Sequence, residues 1–155
     1  MVREWLGAML RGDNPRWGFP ADMANETISD EANSQGVVAL LHEKISAENK
    51  STDIPAGFRE HIAELARKKA QQSLMREAEC RRILASLQQA GIHALLLKGS
   101  ALAYWLYPSA HLRDCSDIDL LFSSHDETRK AISLLQSMQY SLRDPALAGD
   151  LVSFE

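Results

Sequence analysis

Apolar residues recur at helical spacing along most of the first ninety positions of the chain. The longest such run predicts one helix over residues 56–90, because no glycine or proline interrupts it after Gly57. A helix of that length is a rod of about 50 Å, and Gly91 is placed to end it. Its apolar positions are Phe58, Ile62, Leu65, Ala66, Ala70, Leu74, Ala78, Leu84 and Leu87.

Shorter helical patterns precede this rod. Residues 27–48 are predicted to be helical with a break near Gly36, and a short helix near the N-terminus is followed by a loop that Trp17 and Phe19 pin onto the body of the protein. On the polar side of the long helix, the cationic residues Arg67, Lys68 and Lys69 are interpreted as a solvated face.

The pattern changes after Gly91 to short apolar runs separated by polar turns. Residues 92–97 and 118–122 are predicted to be buried strands, with a turn at 98–100 and a short helix at 101–107 between them. Ser124 and Glu127 form a capping-box pattern that opens a last helix. Residues 151–154 could begin a third strand.

This order predicts an α+β fold in which N-terminal helices, including one long helix, pack on a small mixed sheet. Two or three strands are marginally stable without such a cover. We expect a helical N-terminal region over residues 1–90 and a partial α/β region over residues 91–155, together forming one compact unit.

Composition narrows the class of protein. The 155-residue chain is 45% hydrophobic and 25% charged, with a formal net charge of −4, which is typical of a globular domain and argues against a broad nucleic-acid footprint. Its apolar runs are far shorter than a membrane span. The two cysteines, Cys80 and Cys115, show no metal-binding spacing, so we expect a reduced, cytoplasmic protein.

Two carboxylates stand at the start of the second predicted strand. Asp117 and Asp119 are two residues apart, so both are expected on one face, with Ile118 and Leu120 pointing into the core. Carboxylates so placed repel each other unless a cation lies between them, and Mg²⁺ (or Mn²⁺) takes carboxylate oxygens and leaves positions for phosphate. We therefore predict a metal site at this pair.

A second candidate feature follows the first predicted strand. Gly99 and Ser100 join that strand to a helix, whose N-terminus offers unpaired N–H groups to phosphate. Glycine allows the backbone to approach a ligand closely, the Ser100 hydroxyl can add a hydrogen bond, and Lys98 adds a charge. Tyr104, Trp105 and Tyr107 are interpreted as packing residues of the short helix rather than as a platform for a base, and Cys115 as an unreactive thiol.

The pattern Lys-Gly-Ser at residues 98–100, Arg113 and Asp-Ile-Asp-Leu-Leu at residues 117–121 resembles the nucleotidyltransferase superfamily. It most resembles a family described as uncharacterised nucleotidyltransferases, over about residues 28–140. Further similarities are Gly-Val-Val-Ala-Leu-Leu at 36–41, Ala-Gly-Ile-His-Ala-Leu-Leu-Leu-Lys-Gly at 90–99 and Leu-Tyr-Pro at 106–108.

This resemblance implies a mixed sheet with flanking helices, a triphosphate held by Gly99 and Ser100, and Mg²⁺ bound by Asp117 and Asp119. The implied reaction is in-line attack on the α-phosphate of a nucleoside triphosphate, with two metals at the reacting oxygens. Lys98 and Arg113 are further candidate phosphate contacts. The superfamily adds a third carboxylate from a later strand, and the chain ends at Glu155 where that strand would form, so we expect an incomplete sheet and site.

Three functional hypotheses remain open at this point. The first is an enzyme that transfers a nucleotidyl group to an unidentified acceptor. The second is a non-catalytic module that binds a nucleotide or a partner, with self-association through an exposed sheet edge. The third is a glycosyltransferase-type Asp-x-Asp site, which the Gly-Ser pair upstream fits poorly.

Overall fold

The computed structural model describes residues 1–20, 24–47 and 53–142. Within these ranges the chain forms six α-helices, two strands, a π-helical turn at Ala24–Ile28 and a 3₁₀ turn at Ala110–Leu112. The helices are α1 (Val2–Arg11), α2 (Ser29–Ser34), α3 (Val38–Ala47), α4 (Ala56–Gln89), α5 (Lys98–Trp105) and α6 (His125–Ser137), and the strands are β1 (Ala94–Leu97) and β2 (Asp119–Phe122).

The long helix predicted from the apolar spacing is confirmed as α4, which has 34 residues. It ends in the hydrogen-bond pattern of a Schellman motif: the Ile92 N–H donates to the Leu87 carbonyl over 2.9 Å, and the Gly91 N–H donates to the Gln88 carbonyl over 3.0 Å. Gly91 has a φ of 69°, a left-handed conformation that glycine adopts without steric cost.

A first hydrophobic cluster joins α1, α3 and the first half of α4. Leu6, Leu41, Ile62 and other apolar side chains are buried in it. The predicted pinning of the N-terminal loop is confirmed, because the Trp17 ring lies 4.9 Å from the Phe58 ring, centroid to centroid, and also contacts Trp5 and Phe19. The contacts of Trp17 with Trp5 and Phe19 are edge-to-face, an arrangement that adds to the stability gained from area burial alone.

A second cluster packs the strands against the last turns of α4 and against α6. Its buried members are Ile83, Leu87, Ile92, Ala131 and Leu135. Since α4 contributes to both clusters, it is the common support of the two halves of the chain. The predicted boundary near residue 90 stays a prediction.

The two strands pair antiparallel, with Leu97 opposite Asp119 and Leu95 opposite Leu121. Helices with a small antiparallel sheet confirm the α+β class. The prediction of buried strands is wrong for one side of the described pair, because Leu95 is 61% exposed and Leu121 is 53% exposed. Side chains alternate along a strand, and among the described residues the helices cover one face of this pair.

The segment between the strands differs from its prediction in two ways. Helix α5 begins at Lys98, where a turn was predicted, because β1 passes directly into it. Tyr104 and Trp105 are exposed, the latter to 83%, so the packing role predicted for these two residues is wrong within the described part of the chain. The possible third strand at residues 151–154 lies outside the described residues. No described helix is both long and apolar enough to cross a membrane.

Candidate functional site

The predicted site residues meet where β1 passes into α5 and where the loop at residues 113–118 enters β2. The strand register explains this meeting, because Leu97, the last residue of β1, lies opposite Asp119, the first residue of β2. Lys98 and Asp119 are therefore neighbours across the end of the sheet. The antiparallel pairing brings together residues that are more than twenty positions apart in sequence.

Lys98 and Asp119 form an ion pair at this point. The Lys98 Nζ lies 2.9 Å from the Asp119 Oδ1, and the lysine side chain is 72% exposed while the aspartate side chain is 26% exposed. The hydrogen bond and the charge of Asp119 raise the pKa of Lys98, and the charge of Asp117 raises it further. Both carboxylates therefore act on the same ammonium group.

Asp117 lies two residues before Asp119, just outside β2, and is exposed. Ile118 and Leu120 are partly buried and pack against the second hydrophobic cluster. The two apolar residues therefore pack inward, as predicted. Asp119 is also partly buried, with its side chain 26% exposed, so of the two carboxylates only Asp117 is exposed.

Ser100 is buried in the first turn of α5. Its hydroxyl donates a hydrogen bond to the backbone carbonyl oxygen of Asp117 over 2.9 Å. A serine hydroxyl has one proton to donate, so in this arrangement Ser100 holds the backbone of the carboxylate segment. A hydroxyl–phosphate hydrogen bond, as predicted from the sequence, requires that this bond break.

Gly99 lies against Cys115 in a contact that leaves little room. A Cβ added at Gly99 would be 3.1 Å from the Cys115 Sγ, closer than ordinary van der Waals contact. Glycine here therefore allows the loop to pack directly on the start of α5. Cys115 is buried, and burial raises the pKa of its thiol, which supports its interpretation as an unreactive residue.

The loop is also held from the side of α4. The Lys69 Nζ lies 2.7 Å from the Asp114 Oδ2, and both side chains are half-buried, at 25% and 29% exposure. The predicted solvated face is therefore wrong for Lys69, although Arg67 and Lys68 are exposed. Lys69 lies seven residues after Ile62 and three after Ala66, both buried, and this spacing is the signal that could have placed it on the inner face.

Arg113 turns back onto its own loop. Its Nη1 is within 3.4 Å of the Asp114 carbonyl oxygen and within about 4.0 Å of the position that a Cβ on Gly36 would take. Arg113 is thus partly engaged with the N-terminal helices and the loop backbone. Its predicted contact with phosphate stays a prediction.

A narrow cleft separates α4 from α5 beside this loop. Ser73, Arg76, Cys80, Ser100, Tyr104 and Arg113 are among the residues that line it, and its volume is about 20 Å³, room for about one water molecule. A nucleotide does not fit there. Lys98 and Asp117 lie on an exposed surface beside this cleft.

The donor set of the carboxylate pair suits a hard cation. Within the described residues, no group of three or more histidine, cysteine, aspartate or glutamate side chains converges as a metal cage. Mg²⁺ is commonly held by one or two carboxylates together with water and substrate phosphates. Asp117 and Asp119 supply two such carboxylates, and the ammonium of Lys98 lies against one of them, Asp119.

Comparison with known families gives one match. A sequence model of a family described as uncharacterised nucleotidyltransferase matches residues 23–151. The matched segment includes Lys98, Gly99, Ser100, Arg113, Asp117 and Asp119. Neither the comparison with curated proteins nor the comparison with solved structures gives a match.

Proposed function

The chain belongs to a family of uncharacterised nucleotidyltransferases, and on that basis we propose that it binds a nucleoside triphosphate with Mg²⁺ and transfers the nucleotidyl group to an acceptor. Asp117 and Asp119 are the proposed ligands of the cation. Lys98 and the first turn of α5 are the proposed contacts of the phosphates.

The observation that supports this proposal most directly is the position of the Lys98 ammonium beside the two carboxylates. Lys98 bonds to Asp119 and lies in the field of Asp117, at a place that is open to solvent. The negative charge of the carboxylates attracts a divalent cation, and the positive charge of Lys98 beside them attracts a polyphosphate.

The start of α5 supports the phosphate part of the proposal. Leu97 precedes the helix at the N-cap position and provides no side-chain hydrogen bond to it. The first N–H groups of a helix have no partner within the helix, and together with the helix dipole they favour an anion. Lys98 adds a full positive charge at the same end.

In the proposed reaction, an acceptor oxygen forms a bond to the α-phosphorus, and the bond from that phosphorus to the leaving pyrophosphate breaks. The cation would supply charge stabilisation to the phosphate oxygens. The chain's own contribution is positional: Ser100 and Gly99 fix the segment that carries Asp117 and Asp119, and Lys69 fixes the preceding loop through Asp114.

The binding part is tested by titrating ATP with Mg²⁺ into the protein by calorimetry. We expect binding that requires Mg²⁺ and is lost in the variant Asp117→Asn/Asp119→Asn. A matched control is Glu43→Gln/Glu60→Gln, which removes the same charge from two exposed positions and should bind like the wild type. Equal binding by the site variant, or none by a folded wild type, contradicts the proposal.

The transfer part is tested by measuring pyrophosphate release in the presence of candidate acceptors. Release that depends on Asp117 and Asp119 supports an enzyme. Magnesium-dependent binding without any release, across acceptors that carry hydroxyl groups on protein, RNA and small molecules, favours the alternative of a non-catalytic nucleotide-binding module.

A further inference from the structure

The ammonium of Lys98 is bound to one of the two carboxylates that are proposed to hold the divalent cation. It is bonded to Asp119 at 2.9 Å and feels the charge of Asp117. The same place is the one proposed above for the divalent cation. A divalent cation at Asp119 would repel the ammonium of Lys98 and compete with it for the same carboxylate.

The backbone shows that this position is built into the fold. Lys98 follows Leu97, which is paired with Asp119 across the strands, so the lysine is carried to the aspartate by the sheet register. Its φ is 50°, a left-handed conformation that costs a non-glycine residue energy. The side chain itself is largely exposed, so it is free to leave Asp119 when a better partner is present.

We propose that Lys98 is an internal competitor for the metal, so that the site takes the divalent cation together with a polyphosphate in preference to the free ion. A free ion must displace the ammonium into water. A metal–triphosphate complex also displaces the ammonium from Asp119, but the ammonium can then bind a phosphate oxygen of the complex. The lysine thereby couples metal binding to nucleotide binding. This inference rests on the proposed function.

The coupling has a measurable signature. Replacing Lys98 by methionine keeps the length of the side chain and removes its charge. Free Mn²⁺ should then bind about threefold more tightly, the size expected for loss of a largely exposed ion pair. Mn²⁺–ATP should bind about tenfold more weakly, because a charge-assisted contact is lost. The two affinities therefore move in opposite directions.

Electron paramagnetic resonance counts free Mn²⁺ during titration of the protein without ATP, and calorimetry with ATP in excess over Mn²⁺ measures binding of the preformed Mn²⁺–ATP complex. Lys98→Arg retains the charge and should restore wild-type behaviour in both titrations. Lys68→Met is a control for general loss of charge, since Lys68 is exposed and pairs with Glu64 within α4. Neither of its affinities should change.

The outcomes separate the two proposals. If Mn²⁺–ATP binding depends on Asp117 and Asp119 but Lys98→Met leaves free Mn²⁺ affinity unchanged, the inference about Lys98 is overturned and the proposed function stands. If Mn²⁺ binds to none of these proteins, with or without ATP, both are overturned. Opposite shifts in Lys98→Met, restored by Lys98→Arg and absent in Lys68→Met, support the competitor.

Discussion

The Ser100 hydroxyl donates a hydrogen bond to the backbone carbonyl oxygen of Asp117 over 2.9 Å. This bond joins the first turn of α5 to the segment that carries both candidate metal ligands. Because Ser100 is buried, its hydroxyl would lose its hydrogen-bond partner at a place with little access for water if this bond broke. The serine of the Gly-Ser pair thus has a positioning role that is independent of any phosphate.

Replacing Ser100 by alanine should therefore weaken the site without removing any ligand. We expect a loss of about 1 kcal/mol in unfolding free energy and a severalfold lower affinity for Mg²⁺–ATP, measured by urea unfolding and by calorimetry. Ser133→Ala is the control, because the Ser133 hydroxyl bonds to the Arg129 carbonyl on the exposed side of α6. Wild-type stability in Ser100→Ala would contradict a positioning role.

Breaking the salt bridge between Lys69 and Asp114 should affect both the stability of the protein and the candidate site, which Lys69 does not contact. Lys69→Met should cost about 1 kcal/mol of stability, at the upper end of the range for ion pairs that retain some exposure. It should also lower Mg²⁺–ATP affinity, because Asp114 is three residues from Asp117. Lys68→Met should change neither quantity measurably. Equal effects of the two substitutions would show that only the overall charge of α4 matters.

Gly99 and Gly57 form a matched pair for testing the contact with Cys115. Each is the second residue of its helix, and an added Cβ meets nothing within 4 Å at Gly57 but lies 3.1 Å from the Cys115 Sγ at Gly99. Alanine is preferred over glycine in a helix by up to about 1 kcal/mol, whereas overpacking costs about 1–3 kcal/mol. Gly57→Ala should stabilise the protein and Gly99→Ala should destabilise it.

A double-mutant cycle checks the cause of that difference. If the sulfur is what obstructs the new methyl group, Gly99→Ala should cost less in a Cys115→Ala background, with a coupling of at least about 0.5 kcal/mol between the two positions. Chemical denaturation of the four proteins measures it. Additive costs would mean that the strain at Gly99 comes from another contact.

The sequence predicted the elements better than it predicted their contacts. The apolar spacing and Gly91 were sufficient to predict the extent of α4. Ser124 was sufficient to predict the start of α6, and its hydroxyl accepts a hydrogen bond from the Glu127 N–H. These signals are local. The start of α5 was missed because glycine as the second residue is unfavourable in a helix, and because the direct passage from β1 depends on the packing of the loop.

The contacts that shape the candidate site are all long-range. Lys98 was a candidate phosphate contact by its position beside Gly99, yet its pairing with Asp119 follows from the strand register. Lys69 was placed with its solvated neighbours because three adjacent cations on a helix usually face water. Successive residues of a helix point about 100° apart around its axis, so Lys68 and Lys69 face different directions. Which of these sides of α4 is covered depends on where the loop at residues 113–118 packs, and the sequence pattern does not show that.

Burial of Cys80 predicts a dependence of stability on pH. Burial raises the pKa of its thiol above the ordinary value of 9.0, so the unfolded chain loses this proton at a lower pH than the folded chain does. Stability is then fully present below pH 9 and falls as the pH rises above it, by at most about 1.4 kcal/mol per pH unit for one thiol.

Urea unfolding between pH 7.5 and 10 measures this decline. In Cys80→Ala the decline should be shallower but still present, because burial also raises the pKa of the Cys115 thiol. A wild-type stability that is flat across this interval, or that rises with pH, would contradict the burial of these groups.

The exposed face of the strand pair gives a last prediction. Leu121 and its partner Leu95 are more than half exposed, whereas Leu87 beneath the sheet is 1% exposed. Leu121→Thr keeps a residue that favours strands and should cost less than about 1 kcal/mol, while Leu87→Ala should cost about 2–5 kcal/mol. A cost above about 2 kcal/mol for Leu121→Thr would mean that Leu121 is covered in solution. If that cost then fell on dilution, a second copy of the chain would be the cover, since a contact within one chain does not depend on protein concentration.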